Sequence, residues 1–342
     1  MKEKHVLITG HTGFKGSWLV AMLQSQGAKV SGLALEPVAG GIFETARISQ
    51  LLVNDIRSDI RNANELTRYF QSIEPDIVIH LAAQPLVLAS YKNPKETYET
   101  NVMGTFNVLQ AVQATPSIKA TLIITTDKVY RQVQGDQRAF VETDPLGAAD
   151  PYSTSKAMAD LLTQSWLQSH PESKIAIARA GNVIGGGDVA ENRLLPDLIK
   201  AFSLGEKGVV RNPTSVRPWQ HVLDCLAGYV ALTEGLLSGS AQSGAFNFGP
   251  EPEAPLQVLK VAEIASTLWG ENAGWLVQPQ EQPHESPFLT LDSAKSKSVL
   301  NWKEKLTAKE AISWSVEWSK RYSSGEDAQA ITMEQLSAFA SR

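Results

Sequence analysis

The stretch His5-Val6-Leu7-Ile8-Thr9-Gly10-His11-Thr12-Gly13-Phe14-Lys15-Gly16 decides the fold of this chain. Its first half is a short apolar run, typical of a buried strand, and its second half is a turn rich in glycine. A helical pattern from Ser17 to Gln26 follows and is stopped by Gly27, after which Lys29 to Leu35 has a second strand pattern. Strand, glycine-rich turn, helix and strand within about thirty residues predict a βαβ unit that binds a pyrophosphate at the helix N-terminus.

Glu36 follows the second strand, about twenty residues past the last of these glycines. At that position a carboxylate accepts hydrogen bonds from an adenosine ribose and repels a 2′-phosphate. The position therefore favours NAD over NADP as the dinucleotide.

Alternating strand and helix patterns continue from this unit as far as Arg179. We predict a weak third strand at Leu51–Val53. The further predicted helices are Asn62–Ile73 and Lys95–Ala114, and the further predicted strands are Asp76–Leu81, Ala120–Ile124 and Lys174–Arg179. Repeated βα units with buried apolar strands are typical of a parallel sheet that helices cover on both faces. The predicted fold class is therefore α/β, a Rossmann-type doubly wound parallel sheet, with ligands bound at the carboxyl ends of its strands.

The regular alternation of strand and helix patterns ends after Arg179, where a second, smaller mixed α/β domain is expected. Its patterns include the glycine-rich loop Gly181–Asp188 and helices at Asn192–Leu204, Leu256–Trp269 and Ala308–Arg321. The apolar helix Val222–Leu237 and the strand Ala245–Gly249 are instead expected to return to the main sheet. We therefore predict an NAD-binding domain at 1–180 with 221–249, a substrate-binding domain at 181–220 and 250–322, and a loosely attached tail with a short helix at 323–342.

Composition excludes several classes of protein. The 342 residues are 43 % hydrophobic and 20 % charged with a net charge of −5, so neither a nucleic-acid surface nor a membrane surface is expected. A single cysteine, Cys225, excludes an internal disulfide framework and cysteine-based metal sites, and its apolar helical setting predicts a core position. His221 and His284 lack metal-ligand spacing, so no metal is expected. The absence of an apolar signal segment or membrane-spanning run favours a cytoplasmic location.

A second motif is the helix start Asp150-Pro151-Tyr152-Ser153-Thr154-Ser155-Lys156. Asp150 suits an N-cap and Pro151 suits the first helical position, so Tyr152 and Lys156 lie four residues apart on one helix face. An ammonium group beside a phenol favours the phenolate, which makes Tyr152 a candidate base near neutral pH. By itself this spacing is also common on ordinary amphipathic helices. The polar run Thr125–Lys128, at the end of a predicted strand, gives it chemical context.

Several motifs together resemble the extended short-chain dehydrogenase/reductase family. They are the glycine turn at 10–16, His80-Leu81-Ala82-Ala83, Asn101, and Tyr152 with Lys156. Within the family, Thr126-Asp127-Lys128-Val129-Tyr130 resembles the sugar-nucleotide 4,6-dehydratases. Lysine after the aspartate is similar to their CDP-glucose branch, whereas the dTDP-glucose and GDP-mannose branches carry glutamate there. Residues 179–188, 211–222 and His284-Glu285 are also similar to that branch, but the loop 131–143, Val189 and Ser286-Pro287 depart from it.

The resemblance implies an NAD-dependent hydro-lyase that converts CDP-D-glucose to CDP-4-dehydro-6-deoxy-D-glucose, in the synthesis of deoxysugars for surface polysaccharides such as O-antigen. Tyr152 would take the proton of the sugar 4-hydroxyl, to which Thr126 hydrogen-bonds, and Lys156 would also hold the nicotinamide ribose. Lys128 would remove the proton at C5, and Asp127 would protonate the departing 6-hydroxyl. A homodimer or homotetramer is also implied.

Binding residues follow from the same resemblance. The implied cofactor-binding residues are Gly10, Thr12, Gly13, Phe14, Gly16, Glu36, Asp59, Ile60, Leu81, Ala82, Ala83, Gln84, Asn101, Thr125, Tyr152 and Lys156. The implied substrate-binding residues are Gln84, Asn182, Arg193, Arg211, Arg217 and His284. Guanidinium groups suit a diphosphate because they form paired hydrogen bonds with its oxygens.

Three alternatives stay open at this point. A dehydratase of another nucleotide-linked hexose would use the same residues. A sugar-nucleotide 4-epimerase would need Tyr152, Lys156 and NAD but no acid and base for C5 and C6, and it usually has small neutral residues at the positions of Asp127 and Lys128. A structural ion pair between Asp127 and Lys128 is the alternative to their acid and base roles. A non-catalytic NAD or sugar-nucleotide sensor would need only the binding residues.

Overall fold

One parallel sheet forms the centre of the molecule. The computed structural model describes residues 1–132, 135, 138–250, 256–271, 273–278 and 289–342. Its strands are β1 (His5–Thr9), β2 (Lys29–Ala34), β3 (Asn54–Arg57), β4 (Ile77–His80), β5 (Ala120–Ile124), β6 (Ile175–Ala180), β7 (Val183–Ile184), β8 (Lys207–Val210), β9 (Val216–Arg217), β10 (Gln220–His221), β11 (Gly244–Phe248), β12 (Leu256–Gln257) and β13 (Gly274–Val277). Within the described residues, seven of these strands form the main sheet in the order β11-β6-β5-β4-β1-β2-β3.

Some of the helices cover both faces of this sheet and others lie outside it. The helices are α1 (Phe14–Ser25), α2 (Ile42–Thr45), α3 (Ala63–Ile73), α4 (Val87–Lys92), α5 (Pro94–Tyr98), α6 (Gly104–Gln113), α7 (Pro151–Ser169), α8 (Leu194–Ser203), α9 (Val222–Ser238), α10 (Val258–Trp269), α11 (Ala294–Leu300), α12 (Ala308–Ser323) and α13 (Ala328–Ala340). The predicted doubly wound, Rossmann-type parallel sheet is confirmed, and β11 returns to it beside β6 as expected.

The inner strands β1, β4 and β5 are largely apolar because both of their faces are covered. In β1, Ile8 packs into one hydrophobic cluster with Ile79 of β4. The next residue back, Leu7, packs into the cluster on the other face with Val78 of β4. This alternation explains why the sequence has continuous apolar runs rather than a period of two.

From β1 the chain adds β2 and β3 toward one edge of the sheet, and from β4 it adds β5 and β6 toward the other edge. This switch point between β1 and β4 places a crevice at their carboxyl ends. Thr9 at the end of β1 pairs with both Leu33 of β2 and His80 of β4. The side chains of Thr9 and His80 are hydrogen-bonded, with Oγ1 and Nδ1 2.6 Å apart. This contact ties the two strand ends together at the crevice.

A separate hydrophobic cluster lies outside the sheet. It joins residues of α8, such as Leu198, to Val261 of α10 and Ile312 of α12. These elements fall in the ranges 181–220 and 250–322 that the sequence assigned to a substrate-binding domain. The division into two domains itself stays a prediction.

One element prediction was wrong, and two features of the helices were not predicted. The third strand lies at β3 rather than at Leu51–Val53, since Leu51 and Leu52 pack beside the core and polar residues form the strand at the sheet edge. The predicted helix Lys95–Ala114 is continuous but contains a π-helical turn at Glu99–Met103, and the short helix α4 before it was not predicted.

The predicted loose attachment of the tail was also wrong. Helix α13 buries Ile331, Leu336 and Phe339 in the same cluster that covers one face of the sheet. Trp318 of α12 donates a hydrogen bond from Nε1 to Thr332 Oγ1 at 3.0 Å. The tail therefore completes the core.

Candidate active site

A cavity of about 970 Å³ opens at the carboxyl ends of the main strands. Its walls come from the glycine turn, the ends of β4, β5 and β6, the start of α7, and the segments around α8 and β8. The residues predicted from sequence that line it are Gly10, Thr12, Gly13, Phe14, Gly16, Asp59, Ile60, Leu81, Ala82, Ala83, Thr125, Thr126, Asp127, Lys128, Tyr152, Lys156, Asn182, Arg193, Arg211 and Arg217.

Close backbone packing requires glycine at two positions of the turn, and a third glycine leaves the helix N-terminus open. Gly10 has a φ of +79°, and a Cβ there would lie 2.6 Å from the backbone nitrogen of Ala82. A Cβ on Gly16 would lie 2.2 Å from the carbonyl oxygen of Gly10. Gly13, which lines the cavity, is the N-cap of α1 and offers no side chain to the first N–H groups of that helix. The turn therefore fits a dinucleotide, whose pyrophosphate would accept hydrogen bonds from these groups.

Three predicted cofactor-binding residues do not line the cavity. The Glu36 side chain is 79 % exposed and accepts a hydrogen bond from Arg57 Nε at 3.2 Å. The Gln84 side chain turns back onto its own segment, where Nε2 donates to Thr97 Oγ1 at 2.9 Å. Asn101 is buried and joins Gln84 to Ser155, because its Nδ2 donates to the Gln84 carbonyl and to Ser155 Oγ. Asn101 and Gln84 therefore stabilise the segments around the cavity without lining it.

Asp127 is a buried carboxyl at the end of β5, with 1 % of its surface exposed. Its Oδ1 accepts a hydrogen bond from Thr126 Oγ1 at 2.9 Å, and its Oδ2 has no hydrogen-bond partner among the described residues. Burial raises the pKa of Asp127, against the opposing effect of nearby Lys128. The protonated acid is thus favoured more than in water, as a proton donor requires.

Gly181 makes space for this carboxyl, a role that the sequence did not indicate. A Cβ at position 181 would lie 3.0 Å from Asp127 Oδ2 and 2.8 Å from Pro218 Cγ. Gly181 has an ordinary backbone conformation, so the requirement is for space and not for an unusual φ. Only the folded chain brings residues 127, 181 and 218 together.

Tyr152 and Lys156 lie on one face of α7 as predicted, but their electrostatics differ from the expectation. The helix begins as predicted, since Asp150 Oδ1 accepts a hydrogen bond from the Ser153 N–H at 2.9 Å. Lys156 donates from Nζ to the Ile124 carbonyl at 2.7 Å, and burial lowers its pKa to about 8. Burial also raises the pKa of Tyr152, which Lys128 then opposes. The expected lowering of the phenol pKa by Lys156 was wrong, because the lysine bonds to the strand end instead.

The cavity extends toward α8 and β8, where acidic residues accompany the predicted arginines. Arg193 Nη1 lies 3.2 Å from Asp188 Oδ2, and Arg211 Nη2 lies 3.4 Å from Asp197 Oδ2. Both aspartates line the cavity and neither was predicted. His284 lies outside the described residues.

Lys15 also lines the cavity without having been predicted as a site residue. Its Nζ donates to the Tyr229 hydroxyl at 3.3 Å, and burial lowers its pKa. Lys15 lies within the glycine turn, where the spacing pattern indicated only the glycines as site residues. Cys225 is buried in the core as predicted.

None of the described helices is both long and apolar enough to cross a membrane. No group of three or more histidine, cysteine or acidic residues in the described ranges is arranged to hold a metal ion.

The chain also matches a known protein family and named relatives. Residues 6–249 match the model of the NAD dependent epimerase/dehydratase family. The chain is 41 % identical to the CDP-glucose 4,6-dehydratase of Salmonella typhimurium, over 99 % of this chain and 96 % of that protein. It is 28 % identical to a dTDP-glucose 4,6-dehydratase of Neisseria gonorrhoeae, over 92 % of this chain and 95 % of the relative.

The fold also matches solved structures. A dTDP-glucose 4,6-dehydratase of Bacillus anthracis in complex with NAD superposes with a TM-score of 0.78. The match covers 96 % of this chain and 99 % of that one at 23 % identity. At this identity the likeness establishes the fold.

Proposed function

Because this chain belongs to the NAD dependent epimerase/dehydratase family, we propose that it is a sugar-nucleotide hydro-lyase that converts CDP-D-glucose to CDP-4-dehydro-6-deoxy-D-glucose. The enzyme would remove water across C5 and C6 of the hexose with no net oxidation. The relative that is 41 % identical over nearly the whole chain carries the name CDP-glucose 4,6-dehydratase, which supports the CDP-linked substrate.

One observation carries this proposal. Asp127 and Lys128, at the end of β5, line the same cavity as Tyr152 and Lys156, at the start of α7. An enzyme that only oxidises and reduces C4 has no use for an added acid and base. A dehydration needs both, one for the proton at C5 and one for the oxygen at C6.

The proposed role of Asp127 follows from its burial, and the roles of the other residues follow from their places in the cavity and from the resemblance. Asp127 is protonated and gives its proton to the departing 6-hydroxyl, since burial raises the pKa of this carboxyl. Lys128, in its neutral form, takes the proton at C5, which is acidic once C4 is a ketone. Tyr152 takes the proton of the 4-hydroxyl and later returns it, and Thr126 orients the same hydroxyl.

The cofactor would be held by the glycine turn, by Asp59 and Ile60 at the adenosine end, and by Tyr152 and Lys156 at the nicotinamide end. When bound, NAD supplies the oxidant for C4 and, as NADH, the reductant for C6. Lys156 donates from its buried Nζ to the Ile124 carbonyl at 2.7 Å, which fixes its position at the end of β5.

The diphosphate of the substrate would lie against Asn182, Arg193 and Arg217. Arg217 is near enough to Asp127 to oppose the rise in its pKa. A diphosphate between the arginines would therefore place the attached hexose beside the carboxyl. Charge-assisted pairs of this kind are among the stronger hydrogen bonds in proteins.

We extend the proposal to a homodimer or homotetramer in the synthesis of deoxysugars for a surface polysaccharide. The two-domain division and a cytoplasmic location stay predictions. Size-exclusion chromatography with light scattering measures the assembly, and cell fractionation measures the location.

The test is incubation of the purified protein with CDP-glucose and no added reductant. A base-sensitive 4-keto chromophore supports dehydration. Inversion at C4 without that chromophore would identify a 4-epimerase, and binding without turnover would identify a sensor. Parallel reactions with dTDP-, UDP- and GDP-glucose determine the preferred base.

A further inference from the structure

The part of the cavity near α8 and β8 contains a charged pair, with both apolar and polar residues around it. Val209 of β8 and Val258 of α10 line this part, together with Asp197 and Arg211. The two charged side chains lie 3.4 Å apart and are 27 % and 25 % exposed. Arg211 Nε is buried and has no hydrogen-bond partner among the described residues.

The position of this pair follows from α8. Arg193 is the N-cap of this helix, and the N–H of Asp197 donates to the Arg193 carbonyl at 3.0 Å, one turn further on. Arg193 is close enough to Tyr152 to lower its pKa against the effect of burial. If the hexose lies at Tyr152 and the diphosphate at Arg193, as the proposed function states, the nucleotide base lies beyond Arg193. Asp197 and Arg211 form an ion pair in this part of the cavity, which Asn212 and Ser215 also line.

The two groups have opposite hydrogen-bonding character. A carboxylate only accepts hydrogen bonds and a guanidinium only donates them. Cytosine presents a matching edge, because its 4-amino group donates and its N3 and O2 accept. Uracil and thymine present the reverse, with a donor at N3 and an acceptor at O4.

We propose that Asp197 and Arg211 together select cytosine, with the Asp197 carboxylate accepting from the 4-amino group and Arg211 donating to N3 or O2. This inference rests on the proposed function for the direction of the substrate. It assigns the choice of base to two residues, Asp197 and Arg211, that lie away from the reacting atoms. A carboxylate would face O4 of uracil or thymine with like partial charge, so it would reject those bases as well as bind cytosine.

The setting of Asp197 supports a ligand role over a plain surface ion pair. Burial raises the pKa of Asp197, against the effect of Arg211, so the folded chain holds this carboxylate at a cost. Exposed ion pairs contribute little to stability, and this one lies in a cavity wall rather than on the outer surface. A hydrogen bond from the base would offset part of that cost.

The first experiment needs no variant. Binding of CMP, of UMP, and of the 2-pyrimidinone riboside 5′-monophosphate, which has hydrogen in place of the 4-amino group, is measured by calorimetry with the NAD-loaded protein. We expect CMP to bind roughly 5- to 150-fold more tightly than either of the others, the range that one paired base contact supplies. Equal binding of CMP and the 2-pyrimidinone nucleotide, or no measurable binding of CMP, would overturn the inference.

The second experiment uses Asp197→Asn, whose amide can both donate and accept. The ratio of kcat/KM for CDP-glucose to that for UDP-glucose should fall at least about 5-fold. Equal changes for the two substrates would reject Asp197 as the selecting residue. The matched control is Asp327→Asn, which alters an arginine-paired aspartate on the outer surface and should leave the ratio unchanged.

The outcomes separate this inference from the proposed function. A wild-type enzyme that dehydrates CDP-glucose, but whose preference survives Asp197→Asn, refutes the inference alone. An enzyme that binds CMP selectively through its amino group but forms no 4-keto product refutes the proposed dehydration alone.

Discussion

Two buried aspartates near the ends of β5 and β6 have opposite environments. Asp160 is 0 % exposed and accepts hydrogen bonds from Arg179 Nε at 2.8 Å, Arg179 Nη2 at 2.7 Å, Thr125 Oγ1 and Gln164 Nε2. Asp127 is equally buried but leaves Oδ2 without a partner among the described residues. Asp160 does not line the cavity, and Asp127 does.

Two tyrosines repeat this contrast. Tyr130 donates to Asn247 Oδ1 at 2.7 Å and accepts from Arg179 Nη1 at 2.9 Å. Burial raises the pKa of Tyr130 to about 12. Tyr152 instead lines the cavity with Lys128 nearby. We refer to Asp160, Arg179, Tyr130 and Asn247 as the structural cluster, and to Asp127, Lys128 and Tyr152 as the reactive cluster.

The hydrogen-bonding partners of the two clusters distinguish side chains that stabilise the fold from side chains of the same type that are available for reaction. Buried polar groups in folded proteins are nearly always hydrogen-bonded, so an unpartnered one needs an explanation. In the structural cluster each charge has its partners in the protein. In the reactive cluster, Asp127 Oδ2 has no hydrogen-bond partner among the described residues, as expected of a group whose partner is a ligand. The five predictions below test this division.

Asp160→Asn should have the largest effect on stability. It leaves the Arg179 guanidinium buried without a countercharge, which costs about 3–5 kcal/mol of unfolding free energy. Urea denaturation measures the loss, and Asp127→Asn, which strands no buried partner charge in this way, should change stability much less. Similar losses in the two variants would break the comparison.

Tyr152→Phe should remove turnover while the protein retains NAD, because only the phenolic hydroxyl is lost. A loss on the order of 10³-fold in kcat is expected of a general base. Product formation and retained cofactor are measured on the same preparation. A variant with wild-type kcat would exclude Tyr152 from its proposed role.

Asp127→Asn should reduce kcat on the order of 10²-fold or more, since the amide cannot give a proton to the departing hydroxyl. A solvent-deuterium assay at C5 measures whether proton removal by Lys128 continues. Exchange at C5 without loss of water supports separate roles for the two residues. Normal dehydration by this variant would contradict the assignment.

Tyr130→Phe should cost about 1–3 kcal/mol of unfolding free energy, because Asn247 Oδ1 loses its hydrogen bond from the phenol. Its kcat should stay near that of the wild type, in contrast to Tyr152→Phe. Denaturation and turnover are measured together. A large loss of activity at unchanged stability would place Tyr130 in the wrong cluster.

The pH dependence of stability should give the smallest effect. Burial raises the pKa of Asp127 in the folded state above its ordinary 3.8, so the folded protein binds this proton more tightly than the unfolded chain. That stabilisation is complete below 3.8 and is lost as pH rises through the raised pKa. Stability of the wild type relative to Asp127→Asn should therefore fall from acid toward neutral pH, as measured by denaturation of both proteins across that range. A constant difference would mean that the carboxyl is not destabilised by burial.

Local patterns were sufficient for much of the fold and part of the site. The glycine turn, the helix start at Asp150 and the returning strand β11 were predicted because each depends on neighbouring residues or on an apolar run of ordinary strand length. The third strand was misplaced because β3 is a polar edge strand, whereas Leu51 and Leu52 before it pack against the core. The firm packing of α13 was missed because its apolar positions meet partners that are distant in sequence.

The amino-acid sequence by itself determined the βα alternation, the nucleotide-binding turn and the identity of the polar residues at the strand ends. Tertiary structure decided which of them are satisfied: Asp160 by Arg179, and Asp127 by Thr126 at one oxygen only. It also decided that Lys156 bonds to Ile124 and that Asp197 meets Arg211. The physical reason is that hydrogen bonding and burial depend on distances between remote segments, and these distances exist only once the chain has folded.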